Sequence, residues 1–158
     1  MAFAWALLLL FSASAFALTS VSSENCSVVY TIRLAFTGNG SSPEFIQRVR
    51  DAVNDEWNKN FTCGDCACKA RIELDTISVA NCAAAPPNFH CVNVVNTSGI
   101  DHRSWVRMGR WGAGGLPTNR ANWSSSDSNK VIAHEVGHYL GLDDEYEHTR
   151  SYAAQCLI

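Results

Sequence analysis

The chain has 158 residues, of which 47% are hydrophobic, and carries a net charge of −3 at pH 7. That length suits one domain around one core. The slight acidity excludes a nucleic-acid partner: Arg103, Arg107, Arg110 and Arg120 are interrupted by apolar residues and glycines and read as solvated faces.

The first element is an export signal. Residues 2–11 (AFAWALLLLF) form an uncharged apolar run, and Ala15-Phe16-Ala17 fits a small-x-small cleavage site. The expected organisation is therefore a signal peptide over 1–17 and a folded domain over 18–158, with a secreted, extracellular location. An uncleaved anchor is the alternative, but the run is short for a bilayer span. Once the signal is cleaved, no stable membrane insertion is expected. Seven cysteines behind such a signal point to an oxidising compartment. Cys63, Cys66 and Cys68 are expected to bond among themselves or with Cys82 and Cys91. Cys26 and Cys156 lie near the ends, and an odd thiol is left over. Five N-x-S/T sequons, at Asn25, Asn39, Asn60, Asn96 and Asn122, are candidate surface positions.

Val28, Tyr30, Ile32, Leu34 and Phe36 recur at period two and predict a strand over Ser27–Phe36. Ser42-Pro43 is a helix start, and Phe45, Val49, Val53 and Trp57, with Ile46 and Ala52 alongside, predict an amphipathic helix ending near Asn58. That stripe is core and carries no chemistry. Ala70, Ile72 and Leu74 alternate, and Ile77 and Val79 resume with shifted parity, so one bulged strand or two short ones are expected. Further strands are predicted near His90–Val95 and Trp105–Trp111, the latter followed by a long irregular loop to Trp123. SSSDSN offers N-caps for a last helix, which Gly141 should end. The order β–α–β–β–β–α predicts an α+β domain, a twisted mixed sheet with two main helices, stapled by disulfides.

The chemistry sits on the last helix, in VIAHEVGHYLGLDDEY over 131–146. Residues four apart share a helix face, so His134 and His138 can aim their imidazoles at one point, where a divalent cation would be held. Glu135 lies beside that face and can reach a water there as general base. An HExxH string arises by chance in on the order of one per few hundred chains of this length. Gly141 can fold the chain back so that a carboxylate closes the site. The spacing favours Asp144, with Asp143, Glu145 and His148 as competitors.

The string His134-Glu135-x-x-His138-x-x-Gly141-x-x-Asp144 resembles the extended zinc motif of the metzincin clan, most closely the aspartate variant of the snapalysin family of small secreted bacterial proteases. It is also similar to metallopeptidase domains of bacterial secretion toxins. The resemblance covers about 16 residues. It implies a single zincin-like domain, Zn2+ on His134, His138 and Asp144, and Glu135 as catalytic base. It further implies a peptide or protein substrate held along an edge strand near Trp105–Trp111. Two features depart from the clan: Met1 and Met108 are the only methionines, so none follows the third ligand, and only EYEHTRSYAAQCLI follows Asp144. The C-terminal subdomain is thus expected to be minimal or missing. The leading expectation is a secreted zinc-dependent endopeptidase. The alternatives are a non-catalytic disulfide-rich module keeping a structural metal, or an effector whose cleft a partner completes.

Overall fold

The computed structural model describes residues 19–24, 27–58, 60–63, 66–97, 103–108, 117–142 and 144. Residues 1–17, expected to be an export signal, and Asn25, Cys26, Asp143, Glu145, His148 and Cys156 lie outside these described residues. Strand β1 (Thr19–Glu24) precedes β2 (Ser27–Thr37), in which Ile32, Leu34 and Phe36 are fully buried on one face. Gly38 then turns the chain with φ +96°, a conformation that only glycine takes without strain. A side chain there would also collide with the Val94 carbonyl, since its Cβ would lie 2.3 Å from that oxygen. Helix α1 (Pro43–Trp57) starts as its sequence demands. The Ser42 hydroxyl accepts a 3.2 Å bond from Phe45 N–H, Pro43 occupies the first turn, and Phe45, Ile46, Val49, Ala52 and Val53 are buried.

The remaining strands are β3 (Asn60–Cys63), β4 (Cys66–Ser78), β5 (His90–Val95), β6 (Trp105–Met108) and β7 (Pro117–Ser124), followed by α2 (Asn129–Tyr139). They form one mixed sheet in the order β3-β4-β2-β5-β7-β6. β2 is parallel to β4 and β5, and β5 is parallel to β7, so these pairs require crossover connections; α1 supplies the one from β2 to β4. β3 and β6 close the ends as antiparallel partners. β4 occupies one edge of β2. β1 takes the first half of the other edge, up to Ile32, and β5 takes the second, from Leu34.

Register decides which face is buried. Leu34 pairs with His90, Phe36 with Val92, Val92 with Ala121, Val94 with Trp123, and Ala121 with Val106. These side chains lie beneath both helices and join Val49, Val53, Ile132 and Val136 in one cluster. Trp123, fully buried, meets Phe36 edge-on at 6.0 Å. The opposite face carries polar pairs: Arg33 pairs with Asp75 at 3.6 Å, and Asn93 donates to Asn122 Oδ1 at 2.6 Å. The domain is therefore α+β with two helices on one side of a mixed sheet.

Three strands depart from the expected order. β1 and β3 add antiparallel partners to β2 and β4, and β7 replaces most of the expected irregular loop. PTNRANWS reads as loop because its composition is mostly polar; in the structure Ala121 and Trp123 are buried, while Arg120 is exposed and Asn122 half-buried. The edge strand covers Trp105–Met108; the rest of the expected span to Trp111 lies outside the described residues. β4 carries no bulge, since its register with β2 runs unbroken from Lys69 to Ser78. The parity change arises because Ile77 pairs with Ala35, which is fully buried on the second face. Cys82 and Cys91 bond to each other, so they are not partners of Cys63, Cys66 or Cys68. Among the sequons, Asn39 and Asn96 are exposed, whereas Asn122 is half-buried in β7.

Candidate metal centre

Helix α2 begins at Ser128, whose hydroxyl accepts from Val131 N–H at 3.4 Å, as the serine-rich approach led one to expect. Ile132, Ala133, Val136 and Tyr139 are buried, which turns His134 toward the open side of the helix. α1 fixes the helix from behind. The Trp57 indole N–H donates to the Ala133 carbonyl at 2.8 Å, and a Cβ on Gly137 would stand 3.0 Å from Trp57 Cζ2. The sequence marked Trp57 only as core; its hold on the residue before His134 follows from the helix pairing.

The two imidazoles meet as the spacing requires, with ring centroids 4.8 Å apart and planes at 81°. Gly141, at φ +85°, ends the helix. Gly141 N–H donates to His138 O at 3.0 Å and Leu142 N–H to Gly137 O at 3.3 Å, the two bonds of a Schellman cap. A Cβ on Gly141 would meet nothing within 4 Å, so its role is conformational and not spatial. Gly141→Ala is therefore expected to lower the unfolding free energy by about 1 kcal/mol, read as a reduced urea midpoint with unchanged slope.

The cap aims two acceptors back at the helix. The Leu142 carbonyl accepts from His138 Nδ1 at 2.7 Å, which puts the proton on Nδ1 and leaves the Nε2 lone pair available. Asp144 Oδ1 lies 2.9 Å from His134 Nε2 and 3.4 Å from His138 Nε2. Ligands held ~2.0–2.1 Å from a tetrahedral centre stand about 3.3 Å from one another. The aspartate oxygen stands close to that distance from each of the two nitrogens. The other aspartate oxygen, Oδ2, is 3.7 Å from the Arg103 guanidinium. Arg103 is thus paired across the mouth of the site, which its sequence context does not signal; it is exposed, as expected, but has a partner.

Glu135 is 5% exposed, and its Oε2 is buried without a hydrogen-bond partner. Burial pushes its carboxyl up to about 7; the His138 charge opposes this, the Asp144 and Asp127 charges add to it, and Arg103 opposes it again. A ligand atom from each of His134, Glu135 and His138 lies within 4.8 Å of the others, so this group can hold a metal ion. A buried carboxylate oxygen without a donor, beside two imidazoles, is a donor set that a divalent cation fits. Both acids are thus at the site: Asp144 Oδ1 within 3.4 Å of both imidazole Nε2 atoms, and a Glu135 oxygen within 4.8 Å of a ligand nitrogen of each histidine. The competing Asp143, Glu145 and His148 lie outside the described residues. A shallow pocket lined by Cys82, Pro86, Phe89 and Arg120 shares no residue with the site.

No protein-family model, curated protein or solved structure matches the chain.

Proposed function

We propose that this protein is a zinc-dependent endopeptidase of the metzincin type, secreted after removal of its N-terminal signal. The single observation that carries the reading is the approach of Asp144 Oδ1 to both His134 Nε2 and His138 Nε2, beside the buried carboxyl of Glu135. His134, His138 and Asp144 would hold the ion. When bound, zinc supplies a Lewis acid that polarises a carbonyl and lowers the pKa of a water toward ~7.

The chain's own groups then divide the work. Glu135 accepts a proton from the water as its oxygen forms a bond to the peptide carbonyl carbon. The same carboxyl delivers that proton to the departing amine nitrogen as the C–N bond breaks, and so returns to carboxylate. A carboxyl poised near neutrality suits both transfers. The His138–Leu142 bond keeps the imidazole in the tautomer that presents Nε2.

Two further observations favour an enzyme over a structural metal site. His134 and Asp144 have side chains 34% and 48% exposed, so the cluster opens to solvent on one side, whereas structural sites are closed by four protein ligands. β6 is the end strand of the sheet, and among the described residues no strand pairs with its outer edge. An extended peptide could add there through main-chain hydrogen bonds.

The test combines metal analysis with digestion of an unfolded protein substrate, with and without a chelator, by the wild type and Glu135→Gln. The expected result is one zinc per chain in both proteins, with chelator-sensitive cleavage by the wild type alone. A wild type that holds one zinc yet cleaves nothing overturns the enzyme reading.

A further inference from the structure

Arg103 stands on the chain just before β6, opposite the carboxylate that closes the metal site. Its Nη2 lies 3.7 Å from Asp144 Oδ2, while Asp144 Oδ1 faces the two imidazoles. Asp144 is thus flanked on both sides, one oxygen toward the histidines and the other in an exposed ion pair with a guanidinium. We infer that Arg103 is the positioning residue for the third metal ligand: it orients the Asp144 carboxylate so that a single oxygen is presented to the ion. This rests on the metal-site reading above and names a residue that the motif does not contain.

The backbone that carries Arg103 is suited to the task. Its neighbour Ser104 is 3% exposed; the Ser104 hydroxyl donates to Asp127 Oδ2 and accepts from Ser124 N–H at 2.8 Å. Ser124 ends β7, and Asp127 immediately precedes the cap of α2. The arginine is therefore anchored to the same frame as the helix that bears His134 and His138. Among the described residues Asp144 has no such anchor. It follows the helix cap by three residues, so its carboxylate depends on side-chain partners for orientation.

Chemistry favours arginine in this place. A carboxylate bound through one oxygen leaves the other as a strong acceptor, and outer-shell partners of metal ligands typically contribute 10–100-fold to affinity. A guanidinium is always charged and carries several donors in a fixed plane, so it can hold one carboxylate oxygen without competing for the metal. It also withdraws charge from the ligand, which preserves the acidity of an ion held by two neutral imidazoles and one anion.

The experiment is a double-mutant cycle on zinc affinity, read by competition with a chromophoric chelator. It compares wild type, Arg103→Gln, Asp144→Asn and the double variant, with Arg103→Lys as a conservative control. Arg103 has a side chain 78% exposed, so these changes are expected to leave the thermal midpoint unmoved. Arg103→Gln should weaken zinc binding tenfold or more in the wild-type background and less than about twofold when Asp144 is already Asn. Arg103→Lys should recover part of the loss. Equal losses in both backgrounds would mean a general field effect, and no loss in either would mean no coupling; each overturns the inference while the metal site stands. Failure of the wild type to bind zinc at all overturns the site itself, and the inference with it.

Discussion

Glu135→Gln is expected to reduce peptide hydrolysis by at least ~10²–10⁴-fold and, at the same time, to make the metal-free protein more stable at neutral pH. The first effect follows from the loss of the group proposed to carry the proton both ways. The second follows from burial. The carboxyl rises from 4.5 to about 7 chiefly because it is buried, 5% exposed, so its charged form is disfavoured in the fold. Below pH 4.5 it is protonated in both folded and unfolded chains and adds no penalty. Between 4.5 and about 7 the unfolded chain releases the proton first, and stability falls as pH rises; above about 7 the loss is complete. Glutamine remains neutral throughout, so the variant should match the wild type near pH 4 and exceed it by about 1–3 kcal/mol at pH 8. Denaturant unfolding of the chelated proteins at the two pH values measures this. Added zinc should narrow the gap, because a cation offsets the buried charge. Equal stabilities at pH 8 would show that Glu135 bears no such strain.

Much of this site is legible in the sequence because helix geometry is local. His134 and His138 are one turn apart, Ser128 and Gly141 are recognisable ends, and the resulting ring approach needs no tertiary information. The stripe from Phe45 to Val53 is legible for the same reason, and so is the alternation of β2. What the sequence hides is long-range. β7 pairs with β5 and β6 although its composition is that of a loop, because two inward residues, Ala121 and Trp123, suffice when both neighbours supply the hydrogen bonds. Arg103 meets Asp144 across 41 positions, and Trp57 reaches Ala133 across 76. Neither contact has a sequence signal, since each depends on how the sheet edge and the helix pair are assembled. The Cys82–Cys91 bond belongs to the same class, for spacing alone allows many pairings.

Asp144 provides the sharpest discrimination between a metal site and a helix that merely carries two histidines. Without metal its contacts are surface pairs: Asp144 is 48% exposed, with His134 at 34% and Arg103 at 78%. Such pairs are worth ~0–1 kcal/mol, so Asp144→Ala should leave the chelated protein's unfolding curve almost unchanged. On the proposed reading the same carboxylate would be the third protein ligand, and its removal is expected to lower zinc affinity by at least ~100-fold, about 2.7 kcal/mol or more. Zinc should then raise the wild type's thermal midpoint and scarcely move that of the variant, because stabilisation by a ligand follows its affinity for the folded state. Asp144→His supplies another ligand that zinc accepts from the same turn, and it should restore much of the binding. Asp144→Asn keeps the shape but loses the charge and should not. If zinc stabilises Asp144→Ala as strongly as the wild type, Asp144 is not the third ligand, and the ion is held with the two histidines by Glu135 or by Asp143, Glu145 or His148.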